Sequence, residues 1–233
     1  MSFVHSPKII TEGLVLSLDA GNVKSYPGSG TVWTDKSGYG NNGTLTNGPT
    51  FNSSNGGSIV FDGTNDYVTL IRPVQDDFTL SCWFKTTQSG TLPTQWYLGK
   101  GLIDCEVGNI QNDFGLGIGG GRVIFGVGNQ SAQVDVSIYS TRLYNDNVWH
   151  NAVATRVKST GQMQLYVDSI IVAIGTGQTG SLTAATDMRI GSQQPNVGFF
   201  LGNIATGVVY NRALSASEVL QNYNATKSRF NIT

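Results

Sequence analysis

The feature that most constrains this chain is a succession of short, apolar-alternating runs from one end to the other. Residues 14–18 (Leu-Val-Leu-Ser-Leu) open the series, and residues 58–61, 67–70 and 78–85 follow, each bounded by Gly, Asn, Asp or Pro. Residues 114–118 and 122–127 read as a hairpin turned through Gly119-Gly120-Gly121. Residues 150–157 and 162–167 read as another, and 170–174, 187–190 and 202–210 complete the set. Regular period-two runs without intervening helical periods predict an all-β, two-sheet antiparallel sandwich and exclude an α/β fold. With 233 residues the chain can bury a sizeable core without a metal or disulfide.

One helix is expected, at about residues 216–225. Ser215 and Glu218 have the spacing of a capping box, and Leu214, Val219, Leu220 and Tyr223 supply an apolar side. That side predicts a helix covering an edge or end of the sandwich. Residues 20–55 are rich in Gly, Ser, Asn, Thr and Pro, and read as a long ordered loop containing short strands. No linker splits the chain, so residues 13–233 are expected to form one domain behind an N-terminal arm of residues 1–12.

Composition removes several function classes. The 14 Lys and Arg are scattered singly at a net charge of −1, so a nucleic-acid partner is not expected. No segment has the length of a membrane span or of a signal-peptide core, which predicts synthesis in a cytoplasm. Cys82 alternates in phase with Phe78, Leu80 and Phe84, so a buried free thiol is expected there.

Five spaced motifs carry a resemblance: Ser58-Ile-Val-Phe-Asp-Gly-Thr-Asn-Asp-Tyr-Val68, Asp77-Phe-Thr-Leu-Ser-Cys-Trp-Phe-Lys85, Asn147-Val-Trp-His-Asn-Ala-Val-Ala154, Leu165-Tyr-Val-Asp168 and Tyr210-Asn-Arg-Ala-Leu-Ser-Ala-Ser-Glu218. Together they resemble the laminin-G-like, or pentraxin-like, branch of the concanavalin A-like lectin/glucanase superfamily. The resemblance implies a jelly roll of two sheets with six or seven strands each. Leu18-Asp-Ala-Gly-Asn22, Trp33-Thr-Asp-Lys-Ser-Gly38 and Gly40-Asn-Asn-Gly-Thr-Leu45 also look like the opening of laminin-G-like virion proteins of tailed phages, cyanobacterial phages among them. That likeness implies a chain displayed on a particle surface, with capsid or tail proteins or further copies of itself as partners.

The superfamily includes glucanases, so catalysis is weighed first. A retaining glycosidase needs two carboxylates about 5–5.5 Å apart. The only glutamates are Glu12, Glu106 and Glu218, no two of them neighbours, and Asp76 and Asp77 would point to opposite faces of a strand. An enzyme is therefore not expected. His5 belongs to the arm, and His150, inside a strand, reads as a satisfied structural histidine. No cofactor is required.

Calcium is the one ion carried forward, because hard cations take carboxylate, amide and backbone oxygens. Asp35 with Asn41, and Asp62 with Asp66, lie in loops of the kind that hold calcium in relatives, though the same residues also serve as ordinary turn formers. Glycan binding needs aromatic platforms, and Tyr26, Trp33, Tyr39, Trp96 and Tyr97 fall in loop-like sequence with Asn or Gln nearby. They are expected to be exposed, the alternative for each being to pack under its own loop. Three functions follow: a virion accessory protein that also contacts host polysaccharide, a lectin module of a bacterial protein, and, disfavoured, a glycoside hydrolase.

Overall fold

Alternation of apolar residues builds both layers of the sandwich. The computed structural model describes residues 7–109, 111–194 and 196–233. Its strands are β1 Leu14–Asp19, β2 Val32–Trp33, β3 Gly43–Thr46, β4 Thr50–Asn52, β5 Ser58–Asp62, β6 Tyr67–Ile71, β7 Phe78–Lys85 and β8 Lys100–Asp104. They continue with β9 Phe114–Gly119, β10 Arg122–Asn129, β11 Val134–Tyr139, β12 His150–Val157, β13 Gln162–Val167, β14 Ile170–Thr176, β15 Asp187–Ile190 and β16 Leu201–Tyr210. The first sheet runs β14-β13-β12-β7-β16-β5-β4 with β1 also on β16, and the second runs β11-β10-β9-β8-β15-β6-β3-β2. The strand pairings are antiparallel.

Each sheet holds eight strands, more than the resemblance implied. Three short ones lie within residues 20–55, while β8 and β11 lie where the sequence reading placed none. Between the sheets, Phe61, Phe78, Phe84, Phe114, Phe125 and Phe200 are buried in one continuous core, with Phe78 stacked on Phe114 at 4.5 Å. Cys82 and Cys105 are buried free thiols in that core, and burial pushes both well above the usual thiol range.

The helix, α1 Ala216–Thr226, has the expected capping box: Ser215 N–H donates to Glu218 Oε2 (2.9 Å), and Glu218 N–H donates to Ser215 Oγ (3.4 Å). It covers a face of the first sheet and not an edge. Val219 packs on Val153, Tyr166 and Tyr210, while Trp83 and Trp149 are roofed by Phe230 and Tyr223. Residues 7–12 of the arm also dock here. Ile10 N–H donates to Asn222 Oδ1 (2.8 Å), and the Tyr210 hydroxyl donates to the Ile10 carbonyl (3.0 Å). His5 lies outside the described residues.

His150 is buried between two carboxylates, with Nδ1 2.7 Å from Asp168 Oδ2 and Nε2 3.1 Å from Asp146 Oδ1. Burial opposes its protonation, but hydrogen bonds and charge from Asp168 and Asp146 outweigh it and hold its pKa above the ordinary value. The resulting stabilisation is complete below the unfolded value near 6.5 and is lost as pH rises through the folded pKa. His150→Gln is expected to cost about 1.5–3 kcal/mol at pH 5.5. Thermal melts of the two proteins should converge as pH rises, and a constant gap from pH 5.5 to 9 would contradict the assignment.

Candidate functional site

Strand alternation also decides what lies on the outer face of the second sheet. Phe114, Leu116 and Ile118 of β9, and Val123, Phe125 and Val127 of β10, point into the core. Gly115, Gly117, Gly126 and Gly128 therefore face outward. Cys105 is in the core, so Asp104 and Glu106 on either side of it point out, and Asp135 and Ser137 of β11 do the same. In register, Asp104 lies opposite Gly115, Gly115 opposite Gly126, Gly126 opposite Ser137, and Gly128 opposite Asp135. The result is a glycine floor rimmed by carboxylates.

The connection from β7 to β8 is strapped across this floor. Trp96 rests its ring on Gly115 and Gly126, in space that any Cβ would fill. Trp96 N–H donates to Ser137 Oγ (2.9 Å), Gln193 Nε2 donates to the Trp96 carbonyl (3.0 Å), and the Tyr139 hydroxyl donates to the Thr94 carbonyl (2.8 Å). Tyr97 is left half-buried at the rim, its ring 6.1 Å from that of Trp96 and nearly perpendicular to it.

Four carboxylates gather beside it. Asp104 is 1% exposed, Asp113 2% and Glu106 7%, while Asp135 is half-buried. Asp104 Oδ1 accepts from Glu106 N–H (2.8 Å) and Asp113 Oδ2 from Val107 N–H (3.0 Å). The other oxygens, Asp104 Oδ2 and Asp113 Oδ1, are buried without a partner. Burial and mutual repulsion push Glu106 up to about 10 and Asp113 up to about 7, and burial raises Asp104 and Asp135 as well. Arg189 stands opposite Asp104 on β15 and partly offsets this, with its guanidinium 4.2 Å from the centre of the Tyr67 ring. Burial, then the charges of Asp135 and Glu106, raise the Tyr97 phenol too, which places its ring within their field.

The residues expected from sequence are distributed differently. Three expected platforms are corrected by their burial: Tyr26 is 3% exposed, Trp33 0% and Trp96 2%. Tyr26 packs on Phe51 and donates to the Gly30 carbonyl, and Trp33 joins the main core. Tyr39 is exposed, and Tyr97 stands at the acidic rim.

The four expected calcium ligands hold their own loops together. Asp35 accepts from Ser17 N–H, Ser37 N–H, Ser37 hydroxyl and Asn41 N–H at 2.6–3.0 Å, and Asn41 Nδ2 donates to the Val15 carbonyl. Asp62 accepts from Thr64 and Asn65 N–H, and Asp66 from Asp62 N–H. Asp35 is thus occupied on both oxygens, whereas Asp62 takes its donors on Oδ1 and Asp66 on Oδ2. Among the described residues, no three His, Cys, Asp or Glu side chains gather closely enough to hold a metal by themselves.

Asp104, Glu106, Asp113 and Asp135 were not anticipated. Their signal is the alternation Asp104-Cys105-Glu106 around a core cysteine, and Val134-Asp135-Val136-Ser137 on a run that also alternates.

Residues 62–220 match the model of a family described as the concanavalin A-like lectin/glucanases superfamily. No curated protein matches. Among solved structures, the chain is similar to the binding domain of Paraclostridial Mosquitocidal Protein 1, with a TM-score of 0.70, 15% identity, and 92% of this chain on 52% of that one. It is also similar to the botulinum neurotoxin serotype G binding domain (TM-score 0.67, 19% identity, 90% of this chain on 50% of that one). A third is the binding domain of botulinum neurotoxin DC in complex with SialylT (TM-score 0.69, 14% identity, 93% of this chain on 52% of that one). At these identities the likeness is one of fold, and the chain spans about half the length of those structures.

Proposed function

We propose carbohydrate binding without catalysis for this chain, which belongs to the concanavalin A-like lectin/glucanases superfamily. The observation that carries the reading is Tyr97, a half-buried aromatic ring set perpendicular to that of Trp96 over the glycine floor. A sugar offers an apolar face to a ring and hydroxyl donors to a carboxylate, and of the four carboxylates in this rim the half-buried Asp135 is the one able to accept them. The similar structures are binding domains, one of them in complex with SialylT, which supports binding as the class of function.

The carboxylates also argue against hydrolysis. A retaining pair divides its roles, one group kept protonated as acid and the other ionised as nucleophile. Here burial raises both Asp104 and Glu106, so that pair does not show such a division.

The test is an array of bacterial and host polysaccharides probed with labelled protein. Saturable binding is expected, with at least a tenfold loss on Tyr97→Ala. Binding unchanged by Tyr97→Ala, or release of new reducing ends, would overturn the reading.

The finer reading places the chain on a virion surface after synthesis in a host cytoplasm, as a capsid decoration, fibre or tail-associated subunit. It rests on the likeness of residues 18–45 to phage virion proteins. It is favoured by the edge strand β14, which carries no charge and exposes Ile170 and Ile174, a surface suited to capsid or tail proteins or to another copy. Electron microscopy of purified particles tests it, and absence of the chain from them would refute it.

A further inference from the structure

We infer that the hollow between helix α1 and the outer face of the first sheet binds a small neutral polyol through adjacent hydroxyl groups, at a site separate from the Tyr97 rim. Strand alternation builds its floor. Leu16 and Leu18 of β1, Leu80 and Cys82 of β7, and Ala152 of β12 point into the main core. Ser17, Ser81 and Asn151, next to them in sequence, therefore point the other way, under the helix. Pairing sets these groups side by side. Ser17 lies opposite Val208 and Val208 opposite Ser81, while Thr206 lies opposite Trp83 and Trp83 opposite Asn151. With Asn222 and Thr226 of α1 and Ile9 of the arm, they line a hollow of about 80 Å³. That is room for roughly five to eight waters, the bulk of glycerol or erythritol and less than a hexose needs.

The polar groups of the floor are positioned but left incomplete. Asn151 is 4% exposed, and its Nδ2 donates to the Cys82 carbonyl (3.1 Å) and to Ser81 Oγ (3.3 Å). A carbonyl can be met only by the amide nitrogen, so Oδ1 is the end left over for the hollow that Asn151 lines. No donor among the described residues reaches that oxygen. Thr206 Oγ1 accepts from Trp83 N–H (3.3 Å) and Ser81 Oγ accepts from Asn151, so both hydroxyls keep a proton to donate. The Ser17 hydroxyl has no partner among the described residues. A buried amide oxygen without a donor costs free energy until something entering the hollow supplies one. The roof, by contrast, is satisfied. Asn222 accepts from Ile10 N–H and donates to the Tyr210 hydroxyl, and Thr226 Oγ1 accepts from Trp83 Nε1 (2.9 Å) and donates to the Asn222 carbonyl (2.9 Å).

The chemistry selects the ligand class. Asp19 is the one ionised side chain among the described residues of the lining, and it is already paired with Arg229 (2.6 Å), so the hollow favours neither an anion nor a cation. What it offers is one amide acceptor beside hydroxyl donors. A vicinal diol gives a proton to Asn151 Oδ1 and takes one from Thr206 or Ser81, a match that water makes only by ordering several molecules. The carbon-bound hydrogens of such a compound would lie against Val208, Trp83 and Tyr210. The Trp83 wall is held in place, since its ring stacks on that of Phe230 at 4.3 Å. The same diol can belong to a free polyol or to the end of a longer glycan.

The test titrates the isotope-labelled full chain with erythritol and follows the amide signals by NMR, with dimethoxyethane as a control that has ether oxygens and no hydroxyl. The signals of Ser17, Ser81, Asn151 and Thr206 should shift saturably with erythritol and stay in place with the ether. Ser17→Leu, which sends a larger side chain into the hollow, should abolish those shifts. Ser17→Ala removes one hydroxyl and should weaken binding about threefold to tenfold. Tyr97→Ala should leave erythritol binding unchanged, which keeps this site apart from the rim. If Ser17→Leu fails to fold, Ser17→Ala decides, and an unchanged affinity there would overturn the site. Ser17→Leu on a polysaccharide array separates the two sources of the diol: unchanged array binding assigns a free polyol, and reduced binding the end of a glycan. Shifts that never saturate, or that the ether reproduces, would leave a water-filled hollow only and overturn the site. So would saturable erythritol binding that survives in folded Ser17→Leu.

Discussion

Trp96→Ala should lower stability by about 3–5 kcal/mol, while Tyr97→Ala, one residue away, should change it by less than about 1 kcal/mol. The difference follows from what each ring touches. Trp96 is 2% exposed and fills the hollow over Gly115 and Gly126, so truncation leaves a cavity between the strap and the sheet. The loss spreads further, because its backbone is the strap's anchor to Ser137 and Gln193. The Trp96 indole N–H has no partner, so the stabilisation comes from packing and not from a hydrogen bond. Tyr97 is half-buried, its ring set edge-on to that of Trp96, and it keeps part of its surface in water. Denaturant melts of both variants, with sugar binding measured in parallel, separate the two roles. Trp96→Ala should lose both stability and binding, and Tyr97→Ala binding alone.

Arg156→Ala is the second large effect. Arg156 is fully buried, and its Nη1 donates to the Asp76 carbonyl (2.6 Å) while Nη2 donates to the carbonyls of Gln178 (2.9 Å) and Gly180 (2.6 Å). One guanidinium on β12 therefore ties down the loop before β7 and the loop after β14. Burial lowers its pKa, and Asp76 and Asp77 oppose that shift, so it is kept charged at physiological pH. Removal leaves three carbonyls without a donor and a void in place of a large side chain. About 3–5 kcal/mol should be lost. Lysine should recover little, since one ammonium cannot span the three acceptors. A midpoint shift in urea at constant slope would measure this, and a loss below about 1 kcal/mol would contradict the clamp.

The sandwich was legible because a strand buried on one face writes a period of two into its sequence. The helix was legible because Ser215 and Glu218 are both needed at their spacing for the capping box. Strands β8 and β11 were harder to see. Lys100-Gly-Leu-Ile-Asp104 is irregular, with a register shift between Gly101 and Ile103, and β11 reads Val-Asp-Val-Ser-Ile-Tyr with only Ile138 buried. Missing those strands concealed the rim, since Asp104, Glu106 and Asp135 have a common face only once both are paired. Trp33 and Trp96 misled for a related reason. Polar, glycine-rich sequence around an aromatic residue marks a loop but does not say whether the ring turns outward or anchors the loop to the sheet. In both cases the ring is the anchor.

Carbohydrate binding without cleavage at the rim of the second sheet around Tyr97 can be measured outright. Titration of wild-type and Tyr97→Ala protein with polysaccharides identified on an array, followed by analysis of the recovered polysaccharide, tests this most directly. Expected are saturable binding by the wild type, at least a tenfold weakening in the variant with a stability change below about 1 kcal/mol, and polysaccharide recovered at its original length. Equal affinity of the two proteins, or a shortened polysaccharide, would contradict it.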